Sequence, residues 1–304
     1  MSHSTGTGTP RPIVAGVDGS AEAVAAARWA AGEADRARTP LRLVHAVSQP
    51  ALAHSAVELP GEFSAALESD GRTWLADARR AVLDHCPGLA VELDLAAGAA
   101  VASLVEVSRA ARLVVVGAVG LGGFPGILVG STAVALVTQG HCPVAVVRGR
   151  PGAAAASGPV VVGVDDSVSS DLAIATAFEE AASRGADLVV VHAWLWFTSD
   201  SAYTHARRHI PVLEELESRE RVSLSERLDR GREKHPGVAV RTVLARDRAV
   251  RCLLEYSADA QLLVVGSQGR GGFSGMVLGP ISQALLYHAT CPLLVVRPAA
   301  AGTS

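Results

Sequence analysis

A chain of 304 residues is about twice a typical 150-residue domain, so two domains are expected. Its 49% hydrophobic and 19% charged residues suit packed cores and exclude disorder. Lys+Arg 27 against Asp+Glu 30 leaves a net charge of -3, without the basic excess that binding to a nucleic-acid backbone requires. The single lysine, Lys234, is not preceded by glycine, which rules out a Walker A loop and a P-loop NTPase.

In chain order, the N-terminal segment MSHSTGTGTPRP is polar and has no apolar h-region, so residues 1–12 are expected to be a flexible tail rather than a leader. Strands are expected at 13–18, 41–47, 91–95, 113–117 and 144–148, with helical patterns between them. The second half repeats the pattern at 160–165, 188–193, 238–244, 262–266 and 293–297. The stretch 113–147 lacks Asp, Glu, Lys and Arg, but seven glycines and two prolines interrupt it, and no apolar span of membrane length exists. A chain in the cytoplasm, without a membrane partner, is the expectation. Four scattered cysteines, Cys86, Cys142, Cys252 and Cys291, fit a reducing compartment and form no metal-ligand spacing.

The two halves are copies. PIVAGVDGS at 12–20 returns as PVVVGVDDS at 159–167, and His45 and His192 share the 147-residue offset of Asp18 and Asp165. LVVVGAVGLGGFPGILVGS at 113–131 returns as LLVVGSQGRGGFSGMVLGP at 262–280, with six glycines in register at an offset of 149. The organisation read from this is a first domain at 13–148, a linker at 149–158, a second domain at 159–298 and a tail at 299–304. Strands that lack polar alternation are buried on both faces, which gives an α/β fold. Each half is then a doubly wound, Rossmann-like domain with a five-stranded parallel sheet in the order 3-2-1-4-5.

In such a sheet, ligands bind beyond the carboxyl ends of the strands where the order reverses, here between the first and fourth strands. Asp18 and Gly117 meet at that crevice in the first half, and Asp165 and Gly266 in the second. A glycine-rich loop that runs into a helix start offers backbone N–H groups and a positive dipole end to an anion, most plausibly phosphate. The facing carboxylate suits a ribose or base hydroxyl, or a cation. The bland alternative makes the two aspartates helix caps. His45 and His192, within strands, read as hydrogen-bonded core residues, Phe124 and Phe273 as packing anchors, and Cys142 and Cys291 as buried thiols. Asp166 reads as a helix N-terminal charge, and 214–234 as a solvated helical face. No nucleophile with a base, no paired catalytic carboxylates and no metal triad is read at the crevice. Catalytic residues are expected to be none, and hydrolysis slow at most.

These residues strongly resemble the universal stress protein family, whose nucleotide-binding members carry G-x2-G-x9-G-[ST] after the fourth strand. The first half has the motif in full as Gly117, Gly120, Gly130 and Ser131, and the resemblance covers both halves. It implies a tandem member with a fold like that of the adenine nucleotide alpha hydrolases. The implied ligand is ATP, with Mg2+ as an accompanying ion, and the implied role is a nucleotide-dependent stress-response regulator. By position, Asp18 would face the ribose or adenine side and Ala46 would line the adenine pocket. Gly117 and Gly120 would hold ribose and phosphates, and Gly130, Ser131 and Thr132 would cradle the phosphates. Asp165, Ala193, Gly266, Gly269, Gly279 and Ser282 would serve likewise in the second half. Pro280 replaces the motif's Ser or Thr and removes a hydroxyl and an N–H, for which Ser282 would compensate in part. Leu121 stands where the second half has Arg270. Despite that missing cation, the first site is expected to bind ATP more tightly, because the second loses a hydrogen bond to a charged group at Pro280. Family members pair their fifth strands, which implies an internal pseudo-dimer through 144–147 and 293–296; further homodimerisation is open. The rival readings are a nucleotide-free interaction or scaffold module, whose glycines serve only close packing, and a slow ATPase.

Overall fold

The computed structural model describes residues 10–48, 61–122, 128–148, 157–194, 210–269 and 278–298. The chain divides into two compact units, Met1–Gly149 and Arg150–Ser304. In the first, β1 (Ile13–Gly16), α1 (Ala21–Ala37), β2 (Leu41–Val47), α2 (Gly61–His85) and β3 (Val91–Ala97) are followed by α3 (Ala100–Val107), β4 (Leu113–Gly117), α4 (Ser131–Gln139) and β5 (Val144–Val147). All its strands are parallel, in the order β3-β2-β1-β4-β5. The second unit comprises β6 (Val160–Val164), α5 (Val168–Arg184), β7 (Leu188–Ala193), α6 (Ile210–Lys234) and β8 (Val240–Ala245), then α7 (Ala249–Ser257), β9 (Leu262–Gly266), α8 (Pro280–His288) and β10 (Leu293–Val296). Its order, β8-β7-β6-β9-β10, is the same wound pattern. The α/β class and strand order agree with the sequence pattern. The expected tails and linker fall largely outside the described residues, as do Phe124, Arg270 and Phe273.

Strand ends differ from expectation for local reasons. β1 and β6 stop before their aspartates: pairing with β4 and β9 ends at Ala15 and Val162, and pairing with β2 and β7 ends at Gly16 and Val164. Asp18 and Asp165 are thus loop residues just beyond the sheet. β3 extends through Ala96 and Ala97, which pair with Ala46 and Val47, although alanine is a poor strand former. β8 starts late because Val238 is still in a turn, its N–H donating to the His235 carbonyl.

Small side chains set the helix-to-sheet distance. The buried face of α1 is Ala23, Ala26, Ala27, Ala30, Ala31 and Ala34. These alanine methyls, with Glu33 the one larger buried side chain of the helix, let its backbone approach β4 so closely that a Cβ on Gly117 would lie 3.0 Å from the Glu22 carbonyl carbon. α1 ends at Arg38 in the left-handed region (φ 50°, ψ 46°), whereas α5 ends in the same conformation at Gly185 (φ 61°, ψ 35°). On α6 the expected polar face is present, with Arg219–Glu215, Arg221–Glu217 and Arg232–Asp229 pairs. The same helix buries Leu224 and Leu228, so it is amphipathic. Among the described residues no helix is long and apolar enough to cross a membrane.

Cys142, Cys252 and Cys291 are buried, and Cys86 is half-buried. Burial pushes the Cys291 thiol up to about 11. At pH 8 a thiol-specific reagent is therefore expected to modify Cys86 in the native protein and to reach the other three only after denaturation, as peptide mass mapping of the labelled protein would show. A second prediction concerns Gly231 on α6, where a Cβ would lie 2.3 Å from Phe178 Cδ2 of α5. Gly231→Ala gains about 1 kcal/mol of helix propensity but overpacks a buried ring at a cost of about 1–3 kcal/mol. The expected result is a lower urea midpoint at unchanged m-value.

Candidate functional site

The turn between β1 and α1 is organised by one carboxylate. Asp18 Oδ1 accepts the Ser20 N–H (3.0 Å) and the Ser20 hydroxyl (2.6 Å), and Ser20 in turn caps α1 by accepting the Ala23 N–H at 3.1 Å. Asp18 Oδ2 accepts the Leu121 N–H at 3.0 Å. One oxygen therefore serves the start of α1, and the other reaches the loop that leaves β4, 103 residues away. Asp18 is therefore not itself the cap of α1; it holds the capping Ser20 and reaches the loop after β4. Gly120 is required by this geometry, since a Cβ there would lie 2.3 Å from Asp18 Oδ2. Beneath the turn, a Cβ on Gly19 would lie 2.7 Å from the Trp74 ring of α2, and Gly19 has φ +85°.

Across the crevice, Gly130 is the N-cap of α4, and its N–H donates to the Ala118 carbonyl at 2.7 Å. No side chain caps this helix, unlike α1 and α5, each of which begins at a serine. Ser131 is exposed and Thr132 half-buried, so the first turn of α4 faces outward with the partial positive charge of a helix start. A Cβ on Gly130 would meet its nearest atom only at 3.5 Å, which makes Gly130 far less constrained than Gly117 or Gly120. Ala46 lies near the carboxyl end of β2, on the same side of the sheet as these loops.

The second unit repeats the plan with more polar groups. Asp165 Oδ1 accepts from the Ser167 N–H (3.0 Å), the Ser167 hydroxyl (2.5 Å) and the Ser170 hydroxyl (2.7 Å). A Cβ on Gly269 would lie 2.6 Å from Asp165 Oδ2, and one on Gly266 would lie 2.8 Å from Ser169 Cβ. Ser169 donates to the Gln268 carbonyl at 2.6 Å, which ties α5 to the loop after β9. Gly279 caps α8, and Pro280 occupies its first turn. Ala193 closes β7, and the adjoining Trp194 ring lies 5.7 Å from the Arg246 guanidinium.

Two expectations change. Ser282 is buried and its hydroxyl donates to the Gly266 carbonyl at 2.7 Å, so that group is committed inside the protein and does not replace the hydroxyl missing at Pro280. Gly117 and Gly266 are needed first for helix packing, so alanine there would disturb the fold whatever the crevice binds. The strand histidines take the expected core role: His45 Nδ1 lies 2.7 Å from the Val17 carbonyl, and His192 Nδ1 lies 3.1 Å from that of Val164. Sequence reasoning missed Arg227 on α6, whose Nη1 donates to the Asp165 carbonyl at 2.7 Å while Nη2 pairs with Asp171 at 2.7 Å. It also missed the approach of Glu220 to His192, because both helix residues were read as part of a solvated face. The i,i+4 apolar spacing of Leu224 and Leu228 was the signal that this helix has a buried side.

The family model described as "Universal stress protein family" matches residues 10–148 and again 157–297. A universal stress protein of Mycolicibacterium smegmatis is 37% identical over 290 residues, covering 94% of this chain and 97% of its own. One from Mycobacterium tuberculosis is 37% identical over 296 residues, covering 94% and 96%. Among solved structures, a universal stress protein from Archaeoglobus fulgidus superposes with a TM-score of 0.66 at 16% identity, over 95% of this chain and 97% of that one. The chain belongs to the universal stress protein family and carries two of its domains in tandem.

Ser282→Ala is expected to lower stability by about 1 kcal/mol, the net worth of one buried hydrogen bond, as chemical denaturation of the variant beside wild type would show.

Proposed function

We propose that the chain is a nucleotide-dependent stress-response regulator of the cytoplasm that binds ATP, with Mg2+ on its phosphates, in one or both crevices. The observation that carries this reading is the Asp18–Leu121 hydrogen bond. It brings a half-buried carboxylate and the glycine loop together at the point where strand order reverses, opposite a helix start that no side chain caps. Donors and charge there are suited to a polyphosphate on one side and to a sugar hydroxyl on the other. In this reading Gly120, Gly130, Ser131 and Thr132 hold phosphates, while Asp18, Ala46 and Gly117 bound the nucleoside side. Asp165, Ala193, Gly266, Gly269 and Gly279 form the second crevice. The second crevice is the weaker, because Pro280 has no N–H to offer and Ser282 is turned inward. In this reading, with no base or nucleophile for rapid hydrolysis among the described residues of either crevice, binding is the output and loop ordering the signal.

A nucleotide-free scaffold is the second reading, favoured by the packing contacts of Gly117 and Gly266, which require glycine without any ligand. Titration of the purified full chain with ATP, ADP and AMP separates the two. The Ser131→Ala/Thr132→Val double variant touches exposed or half-exposed side chains and spares the fold. It is expected to weaken ATP binding by about tenfold, the equivalent of one hydrogen bond to a charged group. Absence of heat from wild type with every adenylate, together with no nucleotide released on denaturation, would support the scaffold instead.

A further inference from the structure

The second unit contains a donor cluster that nucleotide binding does not use. Asp166, His192 and Glu220 each present a ligand atom, and the three atoms lie within 4.8 Å of one another. His192 is 2% exposed, and both of its ring nitrogens face oxygens: Nδ1 the Val164 carbonyl at 3.1 Å, Nε2 the Glu220 Oε2 at 3.2 Å. A carbonyl and a carboxylate only accept, and a neutral imidazole carries one N–H. In the tautomer whose Nδ1–H donates to the Val164 carbonyl, the Nε2 lone pair and Glu220 Oε2 face each other across the place a metal ion would take.

Three features favour the metal. An Nδ1–H that donates to a backbone carbonyl fixes the tautomer whose Nε2 lone pair is free to ligate, the usual outer-shell arrangement of metal-bound histidine. The 3.2 Å between Nε2 and Oε2 is close to the donor spacing of about 3.3 Å on a tetrahedral centre with bonds of about 2.0–2.1 Å. Asp166 lies in the exposed loop after β6 and opens the cluster to solvent, which gives an ion its entry.

The first unit supplies an internal comparison. His45 keeps the same carbonyl bond, but Gly71 of α2 faces its ring, where a Cβ would lie 3.1 Å from His45 Nε2. Gly19 follows Asp18 where Asp166 follows Asp165. Both carboxylates are present together in one half and both are glycine in the other, around the same histidine. Arg227 is the competing cation, with Nη1 3.5 Å from Asp166 Oδ1. Its shorter contacts go to the Asp165 carbonyl and to Asp171.

We propose that Asp166, His192 and Glu220 form a site in the second unit for a divalent ion of the zinc class. One imidazole with two carboxylates selects Zn2+, Co2+ or Ni2+ over Mg2+ and Ca2+. Bound there, the ion clamps α6 to β7 and to the loop after β6, and it stabilises the second unit by mass action.

The test uses the nucleotide-free, chelator-treated full chain, so its outcome is independent of ATP binding. Co2+ is titrated by its visible absorption and Zn2+ by calorimetry. One saturable equivalent and a rise in Tm with Zn2+ are expected. Glu220→Gln and Asp166→Asn should each weaken binding by more than about tenfold, since outer-shell partners alone are worth about 10- to 100-fold. The exposed His288→Gln variant should bind as wild type does. No saturable binding, or equal binding by wild type and both carboxylate variants, overturns the site. If Glu220→Gln fails to fold, Asp166→Asn and the Zn2+-dependent Tm of wild type decide alone.

Discussion

The two oxygens of Asp18 link parts of the first unit that the chain itself keeps far apart. They join the exit of β1 to the start of α1 through Ser20 and to the exit of β4 through Leu121. Everything at the crevice depends on that link. It fixes why Gly120 has no side chain, how far the loop stands from the sheet and where the first turn of α4 opens. The alanine face of α1 and the bare Cα of Gly117 bring the helix near enough for the link to form. In the second unit Ser167 and Ser170 donate to the Asp165 carboxylate, Arg227 donates to its carbonyl, and Ser169 holds the loop after β9 through Gln268.

Much of the fold was legible because the chain states it twice. A single apolar run such as 113–117 is ambiguous between helix and strand, but its return at 262–266 with six glycines in register removes the ambiguity. The meeting of Asp18 with the β4 loop was legible from topology, since the switch point of a wound sheet is fixed by strand order. What stayed hidden were contacts made by long side chains on helices. Arg227 and Glu220 belong to a run dense in charge, and composition alone does not tell which face of a helix turns inward. Ser282 was hidden for another reason: its hydroxyl had two equally plausible directions, and only the packing of α8 on β9 selects the Gly266 carbonyl.

Duplication also separates what the scaffold needs from what each half does with it. The glycines that allow helix approach, the paired aspartates and the strand histidines recur in both units. Trp74 against Gly19 and the His45 ring belongs to the first half, with ring centroids of His45 and Trp74 5.1 Å apart. Arg227, Glu220 and Asp166 belong to the second. The floor under the β1–α1 turn is thus aromatic in one unit and ionic in the other. Burying a ring is insensitive to salt, whereas an ion-pair network weakens as salt rises.

The ends of α1 and α5 differ in a way that bears on how the two halves withstand heat. Both leave the helix through a left-handed residue, but Arg38 does so with a Cβ where Gly185 has none. A non-glycine residue in that conformation carries about 1–2 kcal/mol of steric cost. The first unit thus holds an untapped reserve that its twin has already released. A glycine grafted at that single helix exit would raise the melting point of the first half while leaving both crevices, more than a helix length away along the chain, as they are.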